Sequence, residues 1–131
     1  MKVVVTANGK DLDAPTSQIF GRCPAYILVD TETMQFEAVD NPALSAGGGA
    51  GIQAAQFVVG RGAQAILTGN VGPNAFGILA AASVPAYLLD GGTVREAIEA
   101  YLEGRLQPSG GANVPSHSGM RKGAGRGRGT G

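Results

Sequence analysis

The sequence contains two glycine-rich turns, one arginine and one cysteine that together could bind a ligand. An apolar run over residues 65–68 is followed by Gly69 and Gly72, and Pro73 suits the first position of a helix. A second glycine-rich run covers residues 47–51 and precedes a helical pattern. The free N–H groups and the dipole at such a helix start favour an anion, although many such corners only connect two elements.

Arg22 and Cys23 add a cation and a soft sulfur ligand to these turns. If predicted strands one, three, four and five run parallel, and strand two runs against them, all of these residues meet at one edge of the sheet. Open α/β sheets bind ligands at that edge, and this donor set suits a bulky anion that contains metal and sulfur. We predict Cys23 as the metal ligand. The predicted contact residues are Arg22, Cys23, Gly48, Gly49, Gly69, Asn70 and Gly72.

Each candidate also has a structural explanation, and enzymatic alternatives are poorly supported. Cys23 could equally be a small residue before a proline, and an ion pair with an acidic loop would also explain Arg22. The only histidine is His117, and no CxxC, HExxH, Walker or GxGxxG pattern is present. Asp11, Asp13, Asp30 and Asp40 could suggest a metal-dependent nuclease. Capping of turns at strand ends also accounts for Asp30 and Asp40. We therefore do not predict an enzyme.

Hydrophobic periodicity predicts the elements that position these residues. Five apolar or alternating runs are typical of strands, over residues 3–7, 25–30, 34–39, 65–68 and 84–89. Helical spacing begins at Ile52, at Pro73 and after Thr93, where Glu96 completes a predicted capping box. The order β β β α β α β α predicts a hairpin that feeds two right-handed crossovers. We therefore predict a three-layer α/β/α domain with a mixed five-stranded sheet and one antiparallel strand.

The formal net charge of zero conceals an uneven distribution of charge. Residues 1–104 carry five Lys or Arg and ten acidic residues, whereas residues 105–131 carry five Lys or Arg and no acid. The second segment is rich in Gly, Ser and Pro, so we predict a folded domain over 1–104 and a disordered basic tail over 105–131. The tail could be a flexible arm, a contact for an acidic protein or a nucleic-acid segment. Nucleic acid is disfavoured because Arg126 and Arg128 lack interleaved aromatic residues.

Hydropathy and cysteine content predict where the protein resides. No apolar run reaches the ~18 residues of a membrane span, and the N-terminal apolar run is too short for a signal peptide. The single cysteine excludes an intrachain disulfide and agrees with a reducing compartment. We therefore expect a cytoplasmic monomer with no membrane partner.

Several spaced motifs resemble one known family. Residues 3–12 resemble its first strand and loop, and residues 19–26, Ile-Phe-Gly-Arg-Cys-Pro-Ala-Tyr, are similar to its His-Phe-Gly-Arg-Ala-x-x-Phe/Tyr motif. Residues 47–62 and 66–75 resemble its Gly-rich helix start and its Gly-x-x-Gly turn. This is the dinitrogenase iron–molybdenum cofactor biosynthesis family, which includes nitrogenase cofactor carriers and the molybdenum–copper orange protein of sulfate reducers. The resemblance covers about residues 1–104.

The resemblance implies a ribonuclease H-like fold and a metal–sulfur cluster that contains molybdenum with copper or iron. The family motif often has histidine where this chain has Ile19, which cannot coordinate metal, so Cys23 would supply a thiolate instead. The resulting hypothesis is a non-enzymatic carrier or scaffold for an anionic metal–sulfur cluster. The alternative is a protein–protein adaptor that docks an acidic partner through its basic tail.

Overall fold

A mixed sheet of six strands with three helices forms the part of the chain that the computed structural model describes, residues 1–44, 49–89 and 91–109. The helices are α1 Ala50–Gly60, α2 Pro73–Ala81 and α3 Val94–Leu102. The strands are β1 Lys2–Ala7, β2 Ala25–Asp30, β3 Phe36–Asp40, β4 Ala65–Thr68, β5 Ala86–Leu88 and β6 Gln107–Pro108.

The strand order is β3-β2-β1-β4-β5-β6. Strand β1 pairs in parallel with β4, and β4 in parallel with β5. Strand β2 pairs antiparallel with both β1 and β3, so β3 runs in the same direction as β1. The predicted directions of the first five strands are therefore confirmed, and the carboxyl ends of β1, β3, β4 and β5 lie at one edge.

The prediction of five strands with one antiparallel member was wrong, because β6 pairs antiparallel with β5 at the sheet edge. The Ser109 N–H continues this pairing by donating to the Ala86 carbonyl at 2.8 Å. Strand β6 escaped prediction because its two residues are exposed and one is proline, so they show no apolar pattern. Residues 105–109 therefore lie with the folded part, whereas the rest of the predicted tail, 110–131, lies outside the described residues.

Two hydrophobic clusters on opposite faces of the sheet produce the three predicted layers. Successive strand side chains point to opposite faces, so β1 sends Val4 to one cluster and Val3 and Val5 to the other. Helices α1 and α2 pack on the face of Val4, and α3 packs on the face of Val3 and Val5. The ribonuclease H-like relationship remains a prediction.

Helices α1 and α2 begin at the edge where the parallel strands end, because each follows the carboxyl end of a strand, β3 and β4 respectively. Helix α3 begins with the predicted capping box, which is confirmed: the Thr93 hydroxyl accepts from the Glu96 N–H, and the Glu96 carboxylate accepts from the Thr93 N–H. No helix among the described residues has the length and apolar character needed to cross a membrane.

Candidate functional site

A cleft of about 270 Å³ opens at this edge, between the first turns of α1 and α2 and the loop that precedes β2. The loop contributes residues 20–22, and the start of α1 with the residue before it contributes 49–52. The β4–α2 turn contributes residues 70 and 72, and the first turn of α2 contributes 73–75. Arg22 is the only charged side chain among these lining residues. The cleft therefore has a positive and otherwise uncharged wall, which suits an anion.

The structure brings together four of the residues predicted from the sequence: Arg22, Gly49, Asn70 and Gly72 all line the cleft. Gly69 and Cys23 do not line it. Gly48 lies outside the described residues. The residues that sequence reasoning missed include Ile52 and Ala75, in the first turns of α1 and α2. Their backbone N–H groups, rather than side-chain identity, make them relevant, so only the helix starts could have indicated them.

Both helices that begin at the cleft lack a side-chain cap. Helix α1 begins after Gly49, whose φ of 71° is left-handed, and α2 begins after Gly72 with Pro73 in its first turn. Glycine has no side chain that could accept a hydrogen bond from the first N–H groups, and no other side chain caps α1 or α2. Because the first N–H groups of a helix have no intrahelical acceptor, two positive helix ends face the cleft. The capped start of α3 provides the contrast within the same chain.

Arg22 is exposed at the rim of the cleft. Among the arginines of the described residues, Arg61, Arg95 and Arg105 each pair with a carboxylate. No carboxylate of the described residues lies within 4.0 Å of the Arg22 guanidinium. The ion pair that would have explained Arg22 structurally is therefore not found in this part of the chain, and its charge is available to a ligand.

Two backbone hydrogen bonds join the loop that precedes β2 to the turn that carries Asn70. The Asn70 N–H donates to the Gln18 carbonyl at 2.5 Å, and the Phe20 N–H donates to the Asn70 carbonyl at 3.2 Å. Gly69 permits this approach, because a Cβ there would lie 2.8 Å from the Gln18 Cα. The Asn70 N–H is thus already used within the protein. The sequence predicted that it would bind the anion, but only the exposed side chain of Asn70 remains open to the cleft.

Two buried threonines hold the start of the same loop against the sheet. The Thr6 hydroxyl of β1 donates to the Ser17 carbonyl at 2.6 Å and lies 2.9 Å from the Thr68 Oγ1 of β4. Both threonine side chains are fully buried, so these hydrogen bonds satisfy polar groups that would otherwise be costly.

Asn41 also has a role in this region that sequence reasoning missed. Its side chain is buried, and Nδ2 donates to the carbonyls of Gly21 at 3.1 Å and Cys23 at 2.9 Å. Its Oδ1 accepts from the Ala43 N–H at 2.8 Å. The Asn-Pro pair after β3 predicted a turn, but nothing in the sequence indicated that the amide reaches the Arg22 loop.

Cys23 lies in the core, with 1% of its surface exposed. Its thiol donates to the Phe20 carbonyl at 3.6 Å, and the Tyr26 hydroxyl donates to the same carbonyl at 2.5 Å. Burial raises the pKa of the Cys23 thiol to about 11, so the thiol is protonated at neutral pH. Burial likewise raises the pKa of Tyr26. Because the thiolate is the metal ligand, this placement argues against the predicted metal role of Cys23.

The described residues contain no group of three or more His, Cys, Asp or Glu side chains that could hold a metal ion. Ile19 occupies the motif position where the resemblance predicts histidine, and it is 49% exposed beside the turn that carries Asn70. The cleft thus offers hydrogen-bond donors and one cation instead of metal ligands.

Both the fold and the sequence of this protein are similar to those of proteins with solved structures. The high-resolution structure of the apo form of the orange protein from Desulfovibrio gigas is 41% identical, with a TM-score of 0.82, and the match covers 86% of this chain and 95% of that chain. An NMR structure of a NifB-like protein of the DUF35 family from Thermotoga is 40% identical, with a TM-score of 0.71, and the match covers 81% and 90% of the two chains.

A curated relative is an uncharacterized protein of Methanocaldococcus jannaschii, which is 29% identical over 91 residues. The match covers 67% of this chain and 77% of that protein. Residues 1–104 match the profile of the family described as dinitrogenase iron-molybdenum cofactor. This match spans all three helices and every strand except β6. The chain therefore belongs to the dinitrogenase iron-molybdenum cofactor family.

Proposed function

We propose that this protein is a carrier or scaffold that binds an anionic metal–sulfur cluster in the cleft. One observation carries the proposal: two uncapped helix N-termini and an arginine without an ion pair among the described residues converge on a cleft with no acidic lining residue. The first-turn N–H groups of α1 and α2 would donate to the anion, and Arg22 would balance its charge. The cluster is cargo, which the protein binds and releases.

The donor set fits a preassembled cluster and does not fit a bare metal ion. A bare ion needs several thiolate, imidazole or carboxylate ligands at one place, and the described residues bring no three such side chains together. A cluster that brings its own sulfur ligands needs only hydrogen bonds and positive charge around it. Such contacts are individually modest, about 1.5–3 kcal/mol when one partner is charged, so the cargo can be released again.

The family description supports molybdenum and iron in this proposal, because it names an iron-molybdenum cofactor. Copper in place of iron is the second choice that the family resemblance implies, and the orange protein is among the similar structures. We therefore propose a cluster of molybdenum with copper or iron. Binding without catalysis is the better proposal because the cleft supplies one cation and backbone donors but no general base or nucleophile. The alternative of an acidic partner that binds the tail remains a prediction, since residues 110–131 lie outside the described residues.

Reconstitution tests this function. The protein is incubated with tetrathiomolybdate, with and without copper(I), and separately with iron and sulfide, and is then separated by size exclusion. We expect visible absorption to elute with the protein in at least one case. We expect the Arg22→Ala variant to bind that cargo about 10- to 100-fold more weakly, the equivalent of one charge-assisted contact.

The matched control is Arg61→Ala, at the opposite end of α1 from the cleft. Arg61 is ion-paired with Glu37, so this variant removes the same side-chain type and charge without touching the site. Its affinity for the cargo should stay within about twofold of the unmodified protein. Absence of any bound chromophore, or equal loss in both variants, would contradict the proposed site.

A further inference from the structure

We propose that Asn41 is a positioning residue for anion binding, which acts by fixing the loop that carries Arg22. This inference rests on the proposed function and adds a residue that does not itself line the cleft. Asn41 is 4% exposed, so its polar side chain depends on partners within the protein. It finds them on both sides of Arg22, at the Gly21 and Cys23 carbonyls.

The two hydrogen bonds fix the orientation of the peptide planes around Arg22. The Gly21 carbonyl belongs to the plane just before Arg22, and no peptide bond among the described residues is cis. In a trans peptide the N–H points opposite to the carbonyl, so the Arg22 N–H is directed away from Asn41. Gly21 lines the cleft, so without the Asn41 amide we expect its carbonyl oxygen to rotate toward a bound anion and repel it.

Asn41 also joins the Arg22 loop to the segment that leads into α1. Its Oδ1 accepts from the Ala43 N–H at 2.8 Å, two residues along the chain. On the other side the loop packs tightly on α1: a Cβ at Gly21 would lie 3.1 Å from the N and Cα atoms of Gly51. The loop is thus held between Asn41 and the first turn of α1. The backbone of Arg22 and the N-terminus of α1 consequently keep one relative position.

A double-mutant cycle distinguishes positioning from a general contribution to stability. Tetrathiomolybdate alone is the probe, and its dissociation constant is measured by absorption titration for four proteins: the unmodified chain, Arg22→Ala, Asn41→Ala and the double variant. We expect Arg22→Ala to weaken binding at least tenfold in the native background and less than about threefold in the Asn41→Ala background, because residues that act together are not additive.

Thr93→Ala provides the matched control background. It removes the cap of α3, which packs on the other face of the sheet, and so lowers stability without touching the loop of Arg22. The effect of Arg22→Ala should be unchanged in that background. If Asn41→Ala does not fold, Asn41→Asp serves instead, because it keeps the acceptor for the Ala43 N–H and removes both donors.

The outcomes separate this inference from the function on which it rests. If Arg22→Ala changes nothing in the native background, the proposed site is wrong. If Arg22→Ala weakens binding by the same factor in the native and Asn41 backgrounds, the site stands and the positioning role of Asn41 is refuted. The inference is supported if Arg22→Ala weakens tetrathiomolybdate binding by a smaller factor in the Asn41 backgrounds than in the native and Thr93→Ala backgrounds.

Discussion

Replacing Gly69 with alanine tests whether the contact between two loops holds the cleft together. An ideal Cβ at this position would collide with the Gln18 side-chain Oε1 and would lie 2.5 Å from the Gln18 carbonyl oxygen and 2.8 Å from its Cα. The side chain can rotate away, but the backbone atoms cannot. The segment that begins at Gln18 must therefore move away from the β4–α2 turn.

The size of the effect follows from what that movement breaks. The contact includes two backbone hydrogen bonds, from Asn70 N–H to Gln18 and from Phe20 N–H to Asn70, and each contributes about 1 kcal/mol. If the loop stays in place instead, overpacking costs about 1–3 kcal/mol. Either way we expect the free energy of unfolding to fall by about 1–3 kcal/mol. A domain of this size should then melt about 5–15 °C lower.

Urea and thermal unfolding followed by far-ultraviolet circular dichroism measure this change, because the chain has no tryptophan for fluorescence. The matched control is Gly77→Ala in the exposed middle of α2, where a Cβ would meet no atom within 4 Å. That variant should gain about 0.5–1 kcal/mol, as alanine favours a helix interior over glycine. If Gly69→Ala proves as stable as the unmodified protein, the close approach of Gln18 to Gly69 is wrong, and so is the described contact between the two loops.

Two further predictions concern the core and the one capped helix. Burial raises the pKa of the Cys23 thiol from 9.0 to about 11, so the thiol loses its proton at a lower pH in the unfolded chain than in the folded one. The free energy of unfolding should therefore fall as the pH rises from 9 to 11. Urea unfolding at pH 8 and at pH 10.5 measures this fall in the free energy of unfolding, which should be smaller for Cys23→Ala than for the unmodified protein. An equal fall in both proteins would contradict the burial of the Cys23 thiol. Thr93→Ala should lower the free energy of unfolding by about 1 kcal/mol while leaving tetrathiomolybdate affinity unchanged, and a loss of affinity would show that α3 is coupled to the cleft.

The local pattern of the sequence was sufficient to predict most elements of the sheet and all three helices of the described chain. Apolar runs bounded by glycine and proline identified the first five strands, and the spacing of Thr93 and Glu96 identified the capped helix. These features depend on neighbours within a few residues, so the sequence carries them directly. Strand β6 escaped prediction because its two exposed residues pair only through the backbone of β5.

The residues that could attract an anion, an arginine and two glycine-led helix starts, are recognisable from the sequence alone. Which of them lie together at one cleft depends on the tertiary structure. It placed Arg22 on the cleft and Cys23 in the core, although the two residues are adjacent. In the same fold the Asn70 N–H donates to the Gln18 carbonyl, and the Asn41 side chain donates to the loop that carries Arg22. The physical reason is that burial and hydrogen-bond partners depend on segments far apart in the chain, which a local pattern does not record.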